Sequence, residues 1–438
     1  MITARDAALS ILVKMEEGEK IGDLLNALPD AHPALKNEDI RLVRRLVKGT
    51  KEEQLYLDCL IDQVSKLPAE RMKPVIRNAL RMGFYQKEFM DRVPPRAAIY
   101  ETVASVKKTR QRGLAGFVNG VLRSAYRKTD WAPVPEHIKL GLPVWMMKLF
   151  VKEFGEENTA KMAAAFKGPQ KVYIRFRGDA SLDGKRIEIL KACGVNAEKA
   201  SFPERAYSIS GSDDIRHLPL FAAGEMTVQD ISSMLVGYLA GKLGGETVLD
   251  VCAAPGGKSL YAADALPGAM VLSCDKSDRK CALISENTAR AGVSNIKVIC
   301  QDAAAFVPEW EDAMDIVIAD LPCSGLGVLG RKPDIKYNAS PSEIAQLAKL
   351  QREILDNVRK YVRPGGVLIY STCTVTKEEN EGGRDYILSH SSLVPEDITP
   401  FLPEALQSRE TAREGYIRTL PGIDPCDGFF ISVFRKKI

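Results

Sequence analysis

Apolar residues recur every three or four positions through the first 138 or so residues. Ala8, Ile11, Leu12 and Met15 form one such stripe, and Ile40, Val43, Leu46 and Val47 another. This is the spacing of one face of an α-helix. Pro94 and Pro95 precede RAAIYETVASVKK, where proline suits a first helical turn, and LAGFVNGVLRSAYRK repeats the amphipathic spacing after Gly113. The pattern predicts an all-α domain over residues 1–138. Trp131, Pro133 and Pro135 break it, and PVWMMKLFVKEFGEENTAKMAAAF then reads as a helical connector.

Between Gly168 and about residue 222 the period shortens to two. KVYIRFR sets Val172, Ile174 and Phe176 against Tyr173, Arg175 and Arg177, as in a half-buried strand, so residues 139–222 read as the connector and a small α+β unit. From about residue 223 short apolar runs alternate with helical segments: TVLDVCAAPGG, AMVLSCD, IKVICQD, MDIVIAD and GVLIYSTCT. That rhythm predicts a doubly wound α/β domain over 223–438, with a parallel sheet buried on both faces. The late run FFISVFRK is expected to add an edge strand. No internal repeat or low-complexity tract interrupts the order.

At 438 residues the chain has room for about three domains, and 45% apolar with 27% charged residues excludes a collagen-like or largely disordered chain. No run approaches the roughly 20 apolar residues of a membrane helix, and Arg5, Asp6, Lys14 and Glu16 break the opening segment. Neither a membrane span nor a signal peptide is expected. The nine cysteines stand singly, never as CxxC, and the four histidines (His32, His137, His217, His390) are far apart in sequence. Neither a metal site nor a disulfide framework is expected, and such a chain suits a reducing cytoplasm. The net charge of +4 is uneven: the first 130 residues hold 24 basic against 17 acidic side chains. Lys107, Lys108, Arg110 and Arg112 form the densest basic run, which suits phosphates or is simply a solvated helix face.

In Asp250-Val-Cys-Ala-Ala-Pro-Gly-Gly-Lys258-Ser259 a strand runs into a glycine turn and a helix, an arrangement that points backbone N–H groups at a ligand over the sheet edge. A phosphate-binding P-loop requires glycine where Cys252 stands, and this turn is not GxGxxG, so ATP and dinucleotides are disfavoured here. Asp275, Asp302 and Asp320 close the following strands. Asp275 lies about 20 residues past the turn, the distance suited to a ribose diol, and Asp302 could accept from an adenine amino group. Each can also be a strand-ending residue that caps the next helix. Taken together they describe an adenosine pocket without polyphosphate, which points to S-adenosylmethionine.

Cys323, in Asp320-Leu-Pro-Cys323-Ser-Gly-Leu-Gly, and Cys373, in Ser371-Thr-Cys373-Thr, follow adjacent core strands. A lone cysteine is usually a small buried hydrophobe, but these two leave the sheet where ligands bind. A thiolate adding to C6 of cytosine turns C5 into an enamine carbon able to attack a methylsulfonium. Nearby cations such as Lys258, Arg331 or Lys332 would favour the thiolate. After methylation a second group must take the C5 proton, and Asp320 is placed to bond N3 or the amino group. The residues alone do not say which cysteine attacks.

The motifs DVCAAPGGKS, DLPCSGLGVLGRKPDIKY and YSTCTVTKEENE together resemble those of the RNA (cytosine-5) methyltransferases, in particular the RsmB (Sun/Fmu) branch that acts on 16S ribosomal RNA. The resemblance spans essentially the whole chain. It implies Cys373 as nucleophile and Cys323 as the residue that assists proton removal and product release. It also implies S-adenosylmethionine contacts at Cys252, Ala253, Ala254, Pro255, Gly256, Gly257, Lys258, Asp275, Asp302 and Asp320, with Arg279 and Lys280 as further contacts. It makes residues 1–138 a NusB-like RNA-binding domain, the middle unit RRM-like, and 223–438 a Rossmann-like methyltransferase domain. Leu321 stands where the family often has alanine. The middle unit lacks an aromatic base-stacking signature, so Phe176 is expected in the core and Tyr173 is not assigned to stacking.

The expected function is transfer of a methyl group to C5 of a flipped cytosine in 16S ribosomal RNA, naked or in an early assembly intermediate, by a monomer that binds neither membrane nor metal. The same chemistry on transfer RNA or another ribosomal site is the nearest alternative. A non-catalytic RNA-binding assembly or antitermination factor is a different class, and the presence of Cys373 and Asp275 argues against it.

Overall fold

The computed structural model describes residues 2–212 and 214–438. They separate into two units, residues 2–167 with Leu329–Asn338, and residues 168–212 and 214–328 with Ala339–Ile438.

The first unit contains α1 (Ala4–Glu16), α2 (Ile21–Ala31), α3 (Asn37–Glu52), α4 (Gln54–Asp62), α5 (Pro74–Phe89), α6 (Pro95–Lys107), α7 (Ala115–Arg127), α8 (Glu136–Lys139) and α9 (Val144–Lys167), with a later short helix, α15 (Ile335–Asn338), numbered in chain order. Local signals start these helices. Thr3 and Asp6 form a capping box before α1, and Pro95 occupies the first turn of α6. The stripes read from the sequence face inward, with Ala8, Val43, Leu46 and Val47 fully buried. The polar part of this core is a clamp in which Arg81 pairs with Glu16 at 3.0 Å and with Asp58 at 2.6 Å. Lys336 of α15 is buried and donates to the carbonyl of Glu52 at 3.1 Å. The tail of the motif that begins at Asp320 therefore belongs to the helical unit.

In the second unit β1 (Val172–Phe176), β2 (Asn196–Lys199), β3 (Ala206–Ser210) and β4 (Met226–Val228) form an antiparallel sheet ordered β2-β3-β1-β4, with α10 (Asp183–Ala192) and α11 (Pro219–Ala222) beside it. Ile174 and Phe176 lie in its core. The opposite face of β1 departs from the half-buried expectation, since Arg175 and Arg177 are only 5% and 6% exposed. Both pair with Asp264, at 2.6 and 2.7 Å, and Arg175 lies 4.2 Å over the Tyr261 ring. An alternating polar position marks a second environment, and here that environment is protein.

The larger sheet runs β10-β12-β9-β8-β5-β6-β7, where β5 is Thr247–Asp250, β6 Met270–Asp275, β7 Ile296–Cys300, β8 Met314–Asp320, β9 Val362–Thr372, β10 Leu393–Pro395 and β12 Phe429–Lys436. Strands β5 to β9 are mutually parallel, and β12 is antiparallel to β9, β10 and β11 (Tyr416–Thr419). Ile316 and Ile318 of β8 pack with α12 (Ile231–Leu243) and α13 (Gly257–Ala265). Val317 and Ala319 pack on the other face with α16 (Pro341–Tyr361) and α17 (Glu381–His390). The sheet is thus doubly wound, with α14 (Asp278–Ala291) beside β6 and β7. FFISVFRK is not an edge strand. Six consecutive residues from Phe429 are buried, since β12 is flanked by β9 on one side and by β11 and then β10 on the other. Among the described residues no helix is long and apolar enough to cross a membrane.

Asp264 neutralises two buried guanidinium groups, and removing one partner of a buried ion pair leaves an uncompensated charge. Asp264→Ala is expected to destabilise the chain by about 3–5 kcal/mol, read from the denaturant midpoint. A loss under about 1 kcal/mol would mean that the two arginines are solvated in solution.

Candidate active site

Each element of the cleft begins at the carboxyl end of a strand. β5 ends at Asp250, and the chain turns through Gly256, whose φ of 101° lies in the left-handed region that favours glycine, into α13. The turn is pinned by bonds from the N–H of Ala253 to the carbonyl of Cys274 at 2.7 Å and from Asn287 Nδ2 to the carbonyl of Pro255 at 2.9 Å. A Cβ at Gly257 would stand 3.3 Å from the Gln229 side chain. Asp250 is fully buried; its Oδ2 accepts from the Ser259 hydroxyl at 2.7 Å, and its Oδ1 has no hydrogen-bond partner among the described residues. Burial pushes the Asp250 carboxyl up to about 7, against the opposing pull of the Ser259 hydroxyl and the Lys258 charge.

Lys258, on the first turn of α13, donates to Asp320 Oδ2 at 2.7 Å, while Ser371 donates to Asp320 Oδ1 at 2.8 Å. Burial lowers the Lys258 ammonium pKa, but the Asp320 carboxylate outweighs it and the net shift is upward. The lysine stays charged. Asp275 is buried at the end of β6 and accepts from the backbone of Ser277 at 3.3 Å and from Lys280 at 3.2 Å. Asp302 lies two residues past β7, exposed, and one of its oxygens accepts from the Ala304 N–H at 3.0 Å.

The two cysteines leave β8 and β9, which pair with Asp320 opposite Ser371. Their sulfurs stand 3.4 Å apart, and both residues are partly exposed. The Cys323 thiol is held well above the ordinary range, first because its proton is engaged by Cys373 and second by burial. Below them lies a buried polar network. Glu379 accepts from the N–H of Ser324 at 2.8 Å, from the hydroxyls of Ser324 and Thr376, and from Gln351 Nε2 at 3.2 Å. Asn380 bonds Thr372 and the carbonyl of Thr374. Gly327 donates to the Cys373 carbonyl at 3.1 Å, and a Cβ there would lie 2.1 Å from the Gly428 carbonyl oxygen.

The fold therefore gathers Lys258, Asp320, Cys323 and Cys373 with the turn from Cys252 to Gly257, and sets Asp275 at the next strand end. Lys107, Arg110 and Arg112 are exposed on the helical unit, and Lys108, half-exposed, pairs with Asp6 at 2.6 Å. Arg331 and Lys332 fall in the segment grouped with that unit. Sequence reasoning missed Ser324, Ser371, Gln351, Glu379 and Asn380. All but Gln351 lie inside motifs rich in polar residues, whereas Gln351 occupies an ordinary helical position. Among the described residues no group of His, Cys, Asp or Glu is arranged to hold a metal ion. An adenosyl methyl donor fits the turn, which has a glycine-lined approach, acidic strand ends and, among the described residues, a buried Asp250 oxygen without a hydrogen-bond partner.

Residues 239–435 match the family model for 16S rRNA methyltransferase RsmB/F, and residues 2–127 match that of the NusB family. The chain is 33% identical to a probable ribosomal RNA small subunit methyltransferase B of Bacillus subtilis, over 99% of both chains. It is 31% identical to the ribosomal RNA small subunit methyltransferase B of Citrobacter koseri, over 98% of both. The crystal structure of PH0851 superposes over 100% of this chain and 99% of its own with a TM-score of 0.83 at 22% identity. NSun6 from Pyrococcus horikoshii, solved with SFG, covers 67% of this chain and 98% of its own with a TM-score of 0.58 at 21% identity. These two structural likenesses concern the fold.

A carboxyl whose pKa is raised on folding is protonated more readily in the folded than in the unfolded chain. Its stabilising effect is therefore complete below about pH 4 and is lost as the pH rises through about 7. Asp250→Asn, which mimics the neutral acid, is expected to lose less stability than the native chain between pH 4 and pH 8. Parallel urea-midpoint curves for the two proteins would disprove the buried, protonated state.

Proposed function

The chain belongs to the RsmB/F family of RNA methyltransferases, and on that footing we propose that it methylates C5 of a cytosine in 16S ribosomal RNA through a covalent bond to Cys373. The observation that carries this reading is the pair of sulfurs 3.4 Å apart at adjacent strand ends, beside the Lys258–Asp320 ion pair. Relatives named for the small-subunit RNA support the substrate, and the SFG held by NSun6 from P. horikoshii supports an adenosyl cofactor. Residues 1–138 would grip phosphates, 139–222 shape the approach and 223–438 carry out the chemistry.

Cys373 adds to C6, and Asp320, oriented by Lys258 and Ser371, accepts a hydrogen bond from N3–H or the amino group of the activated ring. S-adenosylmethionine, held by Cys252 to Lys258 with Asp275, Asp302 and Asp320, supplies the electrophilic methyl group. In the resting pair, ionisation of Cys373 leaves Cys323 protonated, because two adjacent sulfurs resist a second negative charge. Once the Cys373 sulfur is a neutral thioether, that charge is gone. Cys323 then ionises more readily, at the step that needs a base for the C5 proton. Loss of that proton re-forms the C5–C6 double bond and expels the Cys373 thiolate.

With labelled cofactor and unmodified 16S RNA, Cys373→Ala is expected to abolish transfer while retaining cofactor affinity; persistent turnover would place the nucleophile elsewhere. Cys323→Ala is expected to accumulate an RNA–protein adduct that survives denaturation, and its absence would remove Cys323 from product release. Replacing Lys107, Arg110 and Arg112 with alanine should reduce the salt slope of RNA binding by about 2–3, at roughly 0.7–0.9 per lost phosphate contact. An unchanged slope would return this patch to idle surface.

A further inference from the structure

Glu379 is a fully buried carboxylate in a motif whose chemistry is otherwise carried by Cys373. A buried carboxylate is costly unless hydrogen bonds compensate it, so its partners show what it is for. They converge from three places. Ser324, directly after Cys323, offers its N–H at 2.8 Å and its hydroxyl; Thr376 offers its hydroxyl at 2.8 Å; Gln351 offers its amide at 3.2 Å. The same Gln351 amide donates to the carbonyl of Pro322, directly before Cys323, at 2.9 Å. The residues on both sides of Cys323 are thus tied to Glu379 or to its neighbour Gln351. Cys373 shares part of this network, because its neighbour Thr374 meets the Ser324 hydroxyl at 2.7 Å and Thr376 donates to Glu379, but it has anchors of its own. It follows the end of β9, and its carbonyl is bonded by Gly327.

We propose that Glu379 is a positioning residue which, acting through Ser324, holds the Cys323 sulfur against the Cys373 sulfur, so that proton removal and thiol release can follow methyl transfer. The proposal rests on the covalent reading above. In the step concerned, Cys323 has first released its own proton to water as a thiolate; the C5–H bond then breaks and its proton passes to the Cys323 sulfur. The electron pair forms the C5–C6 double bond, and the C6–S bond to Cys373 breaks with its pair returning to sulfur. Loss of the Glu379 carboxylate removes the acceptor of the Ser324 N–H and loosens the loop of Cys323, whereas Cys373, one residue past β9, keeps the Gly327 bond to its carbonyl even though Thr376 loses an acceptor. Addition and methylation are then spared relative to elimination.

The test compares Glu379→Ala, Ser324→Ala, Glu379→Gln and Cys323→Ala in the full chain, with 16S RNA and labelled S-adenosylmethionine. Reactions are quenched in denaturant and resolved by denaturing electrophoresis. Glu379→Ala and Ser324→Ala are expected to lower steady-state turnover by about 10- to 100-fold, as misplacement of a reacting group by about 1 Å does, with a smaller loss in the first methyl transfer and with accumulated adduct. Glu379→Gln, whose amide oxygen still accepts from the Ser324 N–H, should recover most of the turnover. Ser324 is partly exposed, and Ser324→Ala removes its hydroxyl bonds to Glu379 and Thr374 while keeping its N–H bond to Glu379, so a milder form of the same effect is read if Glu379→Ala fails to fold. Equal loss of first-turnover transfer and steady-state turnover in Ser324→Ala, with no adduct while Cys323→Ala still traps one, overturns the positioning role alone. No adduct from Cys323→Ala either overturns the covalent reading, and the positioning role with it.

Discussion

Asp320 lies opposite Ser371 in the parallel pairing of β8 with β9, and the position of every reacting group in the cleft follows from that register. The two strands are buried on both faces, so a slip of one residue would exchange the side chains that pack with α12 and α13 for those that pack with α16. Packing on both sides therefore locks the ladder, and the ladder locks the point at which each loop departs. Cys323 comes three residues after one strand end and Cys373 one residue after the other, and their sulfurs meet at 3.4 Å. The contact between Gly327 and Gly428 adds a second constraint, because only a residue without Cβ permits the approach.

Around this frame the site concentrates groups that burial disfavours. Lys258 keeps its charge because Asp320 sits 2.7 Å away, whereas Asp250, with one oxygen lacking a hydrogen-bond partner among the described residues, is pushed toward the neutral acid. One turn of chain thus holds an ion pair beside a carboxyl whose proton affinity burial has raised. The network below the cysteines is more fully satisfied, since Glu379 accepts from donors in both loops and in α16. Satisfied buried networks specify geometry, and a site whose chemistry depends on two sulfurs has use for that specificity.

Much of this architecture was legible as period and punctuation. The helical stripes of the first unit, the doubly wound rhythm after residue 223 and the pairing of the two cysteine-bearing strands follow from rules that act over a few residues. The departures arose where a polar or apolar pattern met an unforeseen neighbour. Arg175 and Arg177 alternate as solvent-facing residues do, but Asp264 of a helix about ninety positions later neutralises them. FFISVFRK reads in sequence as a late edge strand. Its place between β9 and β10 depends instead on which strands it pairs with.

The amino-acid sequence by itself determined the order of elements, the glycine turn with its acidic strand ends, and the presence of two thiols on neighbouring loops, because each is written in spacing or local backbone preference. Only the tertiary structure decided the distance between the sulfurs, the partner of Lys258, the buried state of Asp250 and the role of Glu379 as the common acceptor for both loops. Those properties depend on which groups share a dry interior. Groups tens or hundreds of residues apart become neighbours there only after the sheet has closed around them.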